Sequence, residues 1–381
     1  MVVQPWSGQP LRMACAATLL AGLLASLLTA CPAMAQEGPS SQYRGLTTID
    51  IPFANGPIAM SHVPTVWLKL SGSAPHRFGM DTGSTGIVVA AEHYTPGPND
   101  VADGPGHLTY NSSGRVLQGD RYTTDVVIQR DEYTPAATAR VQVLRVTRIT
   151  CLERARDCRP ENNPRGVAFM GVGFARNAAQ GTESGASKNP FTSLVSLASG
   201  APVSSVRPGY IVTRSGVHLG MTAELTRNFA FIKLAPSAGS HPGAPEWSAT
   251  PMAVSVNGAT GNGTILVDTG INYMFLSPPE GAGLERGRRV PEGSRITLFM
   301  PDQRNPQPAF YGFTVGERGN PMHPERVETV QDRGVFVNTG RMFLEGFDYL
   351  YDALGGYVGF GWNGRLSGGY GGATPGLSYA R

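Results

Sequence analysis

Short apolar runs, separated by glycine, proline and small polar residues, follow one another along most of the chain. Runs of this kind, bounded by turn residues, are typical of β-strands. The apolar spacing of a helix occurs only at 191–197 and 342–347. The pattern therefore predicts an all-β protein with a few short helices. We predict strands at 63–70, 77–80, 123–129, 139–146, 210–213, 229–234, 252–256, 264–267, 297–300 and 357–361.

The composition agrees with many strands and turns and narrows the range of functions. Among 381 residues there are 49 glycines and 30 prolines, which is too many for a mostly helical protein. Only 15% of the residues are charged, and the formal net charge is +3. A nucleic-acid groove or a polybasic membrane surface needs more concentrated positive charge. We therefore expect no nucleic-acid partner.

The first 35 residues have the pattern of an export signal. Arg12 supplies a positive charge, residues 13–28 are apolar but too few to span a membrane well, and Ala33-Met34-Ala35 matches a cleavage site. A second interpretation stays open, because Leu28-Thr29-Ala30-Cys31 resembles a lipobox in which Cys31 would be lipidated. We expect a periplasmic or secreted protein, or an envelope lipoprotein, with no later transmembrane span.

Two cysteines, Cys151 and Cys158, remain once the export signal is removed. In an oxidising compartment such a pair forms a disulfide by default. Without a nearby histidine, two thiols make only half of a zinc site. The chain also lacks a Gly-x-Ser-x-Gly sequence, a Walker loop, a dinucleotide motif and a His-Glu-x-x-His sequence. We therefore predict a disulfide, no metal and no cofactor.

One short motif occurs in both halves of the chain. Residues 78–89 and 265–276 each consist of an apolar strand, an Asp-Thr-Gly triplet and a second apolar strand. A single triplet is ordinary turn chemistry, in which the aspartate caps its own turn. Two triplets in matching surroundings favour a different hypothesis, in which the two turns meet. The triplets and the residues after them are Asp81, Thr82, Gly83 and Ser84, and Asp268, Thr269, Gly270 and Ile271.

Two turns of this kind would form a paired-carboxylate site. Each threonine can hydrogen-bond to the opposite half, and each glycine allows the backbone to approach the neighbouring carboxylate. Carboxylates this close share a proton, since both cannot ionise. One can then take a proton from water while the other donates one to a carbonyl oxygen. We expect Asp81 and Asp268 to be catalytic, and Thr82, Gly83, Ser84, Thr269 and Gly270 to support them.

On these residues the chain resembles the pepsin-like aspartic proteases that have both lobes in one chain. The resemblance extends to Phe169-Met170-Gly171, to 209–220, to 247–258 and to 340–360, and so covers nearly all of the chain after the export signal. It implies an exported, monomeric endopeptidase that acts on peptide or protein substrates. The implied domains are a short linker at 36–42, an N-terminal β lobe at 43–205, a C-terminal β lobe at 206–366 and a Gly-rich tail at 367–381.

Several positions depart from the family pattern. Val88 stands where the family usually has Trp, and Tyr110 best matches the tyrosine of the flap that covers the family's cleft. Ile271 replaces a serine or threonine, and Asn338-Thr339 replace an apolar pair. We expect Tyr110 and Ile271 to line the substrate cleft.

Because the side chain of Ile271 cannot donate a hydrogen bond to Asp268, we expect the pair to keep its shared proton to higher pH. The departures also leave an alternative function open. In that alternative, the protein is a catalytically weak or inactive binding protein of the cell envelope that keeps the same fold.

Overall fold

The computed structural model confirms that the protein is almost entirely β. It describes residues 38–110, 113–153, 155, 158–176, 185–238, 240, 245–302, 309–330, 334–364 and 376–377. The predicted export signal with Cys31, and most of the predicted tail, lie outside the described residues. Residues 38–381 form one compact unit. None of the helices in the described part of the chain is long and apolar enough to cross a membrane.

The strands are short in the second half of the chain and longest in the first. They are β1 (Ile49–Pro52), β2 (Thr65–Leu70), β3 (His76–Asp81), β4 (Thr85–Ala90), β5 (Val101–Tyr110), β6 (Arg115–Gln129), β7 (Pro135–Cys151), β8 (Glu161–Asn162), β9 (Ala168–Val172), β10 (Leu194–Leu197), β11 (Gly209–Val212), β12 (Gly216–Leu219), β13 (Phe229–Lys233), β14 (Thr250–Val256), β15 (Ala259–Leu266), β16 (Met274–Ser277), β17 (Arg295–Met300), β18 (Ala309–Thr314), β19 (Val327–Thr329), β20 (Phe336–Asn338), β21 (Phe347–Asp352), β22 (Tyr357–Trp362) and β23 (Gly376–Leu377). Short 3₁₀ helices cover Pro39–Tyr43, Ala186–Lys188, Val203–Ser205 and Arg341–Glu345.

Every predicted strand segment overlaps an observed strand, but one helix prediction is wrong. Residues 191–197 contain β10, which pairs antiparallel with the edge of β7. Hydrogen bonding along that edge overrides the local apolar spacing, since β10 buries Leu197 against the core. The other predicted helix is a 3₁₀ helix at Arg341–Glu345 followed directly by β21.

Residues of the predicted linker also fold. A 3₁₀ helix begins at Pro39 and ends at Tyr43, the first residue after the predicted linker, whose buried hydroxyl donates a hydrogen bond of 3.0 Å to Asp352.

Three sheets organise the chain. The first sheet has nine strands in the order β10-β7-β4-β9-β3-β2-β6-β5, with β8 beside β7, and comes from residues before 198. The second has eight strands in the order β19-β16-β20-β15-β14-β17-β18-β23 and comes from residues after 249. The third has six strands, β1-β12-β11-β21-β22-β13, and its first strand comes from the first half of the chain.

The same local topology surrounds both Asp-Thr-Gly turns. The first turn joins β3 to β4, and β9 lies between them, parallel to β3 and antiparallel to β4. The second turn joins β15 to β16, and β20 lies between them in the same two senses. In register, Gly79 pairs with Phe169, and Leu266 pairs with Asn338. Because Gly79 and Leu266 each precede their aspartate by two positions, Phe169 and Asn338 are equivalent residues of the repeat.

Candidate active site

The two Asp-Thr-Gly turns meet, and their threonines bind each other reciprocally. The backbone N–H of Thr82 donates to Oγ1 of Thr269, and that of Thr269 donates to Oγ1 of Thr82, both at 3.0 Å. Each hydroxyl then donates across to a strand of the other half: Thr82 to the carbonyl of Val267 at 2.6 Å, and Thr269 to that of Met80 at 2.7 Å. Both threonines are almost fully buried. The four hydrogen bonds form two equivalent pairs, so the two turns are related by a local twofold axis.

Both glycines of the triplets lie against the opposite aspartate. A Cβ atom at Gly83 would lie 2.4 Å from Cγ of Asp268, and one at Gly270 would lie 2.8 Å from Oδ1 of Asp81. No side chain fits at these distances, so only glycine allows the turns to approach this closely. The close approach brings the two carboxyl groups side by side.

The carboxyl group of Asp81 accepts hydrogen bonds from within its own turn. The backbone N–H of Gly83 donates to Oδ1 at 2.6 Å, and the hydroxyl of Ser84 donates to Oδ2 at 2.5 Å. Burial, and next the charge of Asp268, raise the pKa of Asp81 to about 7, although the bonds from Ser84 and Gly83 act in the opposite direction. The site therefore favours a pair that holds a proton between its two members.

The carboxyl group of Asp268 has a donor that sequence reasoning did not assign. The backbone N–H of Gly270 donates to Oδ1 at 2.8 Å, and Nδ2 of Asn338 donates to Oδ2 at 2.6 Å. Asn338 therefore supplies the outer hydrogen bond that the side chain of Ile271 cannot, and the pH dependence expected from Ile271 stays a prediction. A polar residue in place of an apolar one, two positions before Gly340, was the available signal, but its partner is 70 residues away.

Tyr110 lies at the end of β5, where the β5–β6 hairpin closes beside the site. Its ring packs against Phe169, with centroids 6.4 Å apart. Burial, and next the charge of Asp81, raise the pKa of the phenol. The structure thus brings Tyr110 close to the aspartate pair. Asn111 and Ser112, at the tip, lie outside the described residues.

Val88 fills an apolar cluster beneath this hairpin. It is buried together with Leu108, Leu117, Leu144 and Ile149. This packing accounts for a small aliphatic residue at that position, since the hairpin covers it directly. Ile271 is half-buried, and its carbonyl accepts the backbone N–H of Arg341 at 2.9 Å.

Arg341 is a second residue that the sequence did not single out. Its side chain is 4% exposed, and Nε donates to the carbonyl of Ala59 at 3.1 Å. Burial lowers the pKa of this guanidinium, while the charges of Asp268, Glu325 and Asp81 act in the opposite direction, with Asp268 the strongest. The aspartate pair therefore has a buried positive charge nearby.

Cys151 and Cys158 lie at disulfide distance, with their Cα atoms 5.8 Å apart, as the sequence predicts. Cys151 ends β7 and pairs with Arg115 at the start of β6, close to the hairpin tip.

Comparison with known proteins gives no relative from which a role could be transferred. The chain matches no protein-family model and no curated protein.

Proposed function

We propose that the protein is an exported aspartic endopeptidase with a bilobal pepsin-like fold. The observation that carries the proposal is the pair formed by Asp81 and Asp268. It is held by reciprocal threonine bonds and by glycines that admit no side chain. A turn that only capped itself would need neither the partner turn nor the shared proton.

The chemistry of the pair suits hydrolysis of a peptide bond. A neutral and an ionised carboxyl group can hold one water molecule between them and act on it as acid and base together. The ionised group removes a proton from the water, and the neutral group protonates the carbonyl oxygen. Tyr110 and its hairpin would exclude bulk water from the substrate.

The arrangement of the sheets supports two lobes, at 43–205 and 206–366. Each half contributes its own large sheet, and the strand–turn–strand unit around each triplet is the same. The substrate would lie as an extended peptide between the halves and beneath the hairpin.

The alternative of an inactive binding protein rested on the irregular second triplet. Asn338 counts against this alternative, because it provides the hydrogen bond to Asp268 that the side chain of Ile271 cannot.

The test is peptide cleavage by purified protein. The full chain, processed by its own export machinery, is incubated with denatured casein from about pH 3 to pH 8, with and without pepstatin. We expect cleavage that pepstatin inhibits and that is lost in both Asp81→Asn and Asp268→Asn, while unfolding stays cooperative. Cleavage that survives in either variant would refute the role of the pair.

A further inference from the structure

The two halves provide the outer hydrogen bond of their aspartates from different positions of the repeat. In the first half, the residue after the triplet is Ser84, which is the donor, and the position on the inserted strand is the apolar Phe169. In the second half, the residue after the triplet is the apolar Ile271, and the donor is Asn338 on the inserted strand. Polar and apolar residues have thus exchanged places between the halves.

The side chain of Asn338 is held in one orientation. Its Oδ1 atom accepts the backbone N–H of Gly340 at 3.0 Å, and only 5% of the residue is exposed. Nδ2 must therefore face Asp268. An amide NH₂ group donates and does not accept, so it stabilises an oxygen that carries no proton.

Ser84 does not impose this restriction on Asp81. A hydroxyl group donates a hydrogen bond to a carboxylate, but after rotation it can accept a hydrogen bond from the O–H of a neutral carboxyl group. Ser84 is 1% exposed, and its hydroxyl is a single O–H group that can turn about its C–O bond. Asp81 can therefore be neutral without losing its outer hydrogen bond, whereas Asp268 cannot protonate Oδ2 without opposing an N–H donor.

The charges around the pair act in the same direction. Among the described residues, the buried Arg341 interacts with both carboxyl groups, and its interaction with Asp268 is stronger than that with Asp81. Glu325 also acts on Arg341. Tyr110 and Tyr210 also interact with Asp81, and burial raises the pKa of both phenols, which keeps them neutral.

We propose that Asn338 is a positioning residue that holds Asp268 as the ionised member of the pair, so that the shared proton resides on Asp81. The catalytic role that follows from this position of the proton rests on the proposed function. Asp81 gives its proton to the carbonyl oxygen, Asp268 takes a proton from water, and the water oxygen bonds to the carbonyl carbon as the C=O π pair moves to oxygen. The product is a neutral gem-diol, and the negative charge has moved from Asp268 to Asp81.

The protonation state is measured directly on the purified protein. Aspartate is labelled with ¹³C at Cγ, and the two resonances are assigned through Asp81→Asn and Asp268→Asn. In the pH range in which the pair holds one proton, we expect the Asp81 carbon to have the shift of a neutral acid and the Asp268 carbon that of an anion. The reverse pattern would overturn the proposal, and this measurement on the parent protein needs neither an Asn338 variant nor turnover.

Two variants test the role of Asn338 itself. Asn338→Leu removes the donor at similar volume, and we expect the first ionisation of the pair to move up by about one pH unit. Ile271→Ser with Asn338→Leu recreates the first-half arrangement and is expected to restore most of that shift. Titration curves of Asn338→Leu that coincide with those of the parent would overturn the role of Asn338. If casein is not cleaved but these titrations follow expectation, the proposed function fails and the protonation assignment stands.

Discussion

The backbone N–H of Thr82 donates a hydrogen bond to the hydroxyl of Thr269, and the backbone N–H of Thr269 donates one to the hydroxyl of Thr82, both at 3.0 Å. Each hydroxyl also donates to a carbonyl of the opposite half, so each threonine side chain both donates and accepts across this contact. The contact therefore fixes the distance between the two aspartates more firmly than either turn could alone.

Thr269→Val is expected to lower the free energy of unfolding by about 2 to 4 kcal/mol. Valine keeps the volume, but it leaves the N–H of Thr82 and the carbonyl of Met80 buried without their partner. Urea unfolding measures the loss. Thr269→Ser keeps the hydroxyl and is the matched control. Equal destabilisation of the two variants would show that the hydroxyl contributes nothing.

Stability is expected to fall as the pH rises from about 4 to about 7. Folding raises the pKa of Asp81 from its ordinary value of 3.8 to about 7, so within this window the folded state binds more protons than the unfolded state. The contribution is fully present below the unfolded pKa and is lost as the pH passes the folded one. Urea unfolding at several pH values compares the parent with Asp81→Asn, whose slope in this window should be flatter. Parallel curves would contradict the raised pKa.

Gly83→Ala is expected to separate the carboxyl groups. Its Cβ would lie 2.4 Å from Cγ of Asp268, and relieving that overlap costs about 1 to 3 kcal/mol. We expect lower stability and a large loss of casein cleavage. Gly72→Ala is the control, because no atom lies within 4 Å of its Cβ position. Full activity of Gly83→Ala would show that the turns are not in contact.

Removing the cross-link between Cys151 and Cys158 is expected to destabilise the fold. Loop-closure entropy for so short a loop corresponds to about 2.5 kcal/mol. Chemical unfolding of Cys151→Ser with Cys158→Ser gives the value. If the parent protein under strong reductant matches the double variant, the effect comes from the cross-link rather than from the serines.

Much of the fold follows from local pattern, and the exceptions have physical causes. The apolar runs at 63–70 and 252–256 predict β2 and β14 correctly, because the apolar residues that mark these segments are the ones that the strands bury. None of the predicted strands covers β5. Most residues of this strand are exposed or half-buried, so pairing with β6 rather than an apolar pattern makes it a strand.

The candidate site divides in the same way. The triplets can be recognised in the sequence because the aspartate, the threonine and the glycine of each turn are consecutive residues. The donor to the outer oxygen of Asp268 is not, because Asn338 reaches it only after β20 inserts between β15 and β16. Long-range pairing of this kind has no sequence period, and a single chain gives no second signal for it.

The six-stranded sheet joins strands from distant parts of the chain. Strand β1 pairs with β12. Strand β11 pairs with β21, which ends at Asp352 near the end of the chain. A nascent chain that stops before residue 347 therefore lacks β21, which leaves one edge of β11 unpaired. It also lacks Asp352, which accepts a hydrogen bond from Arg207 in the complete chain. Contacts this distant in sequence close slowly. An incomplete chain would thus expose an unpaired strand edge, which is the state most prone to aggregation and to proteolysis.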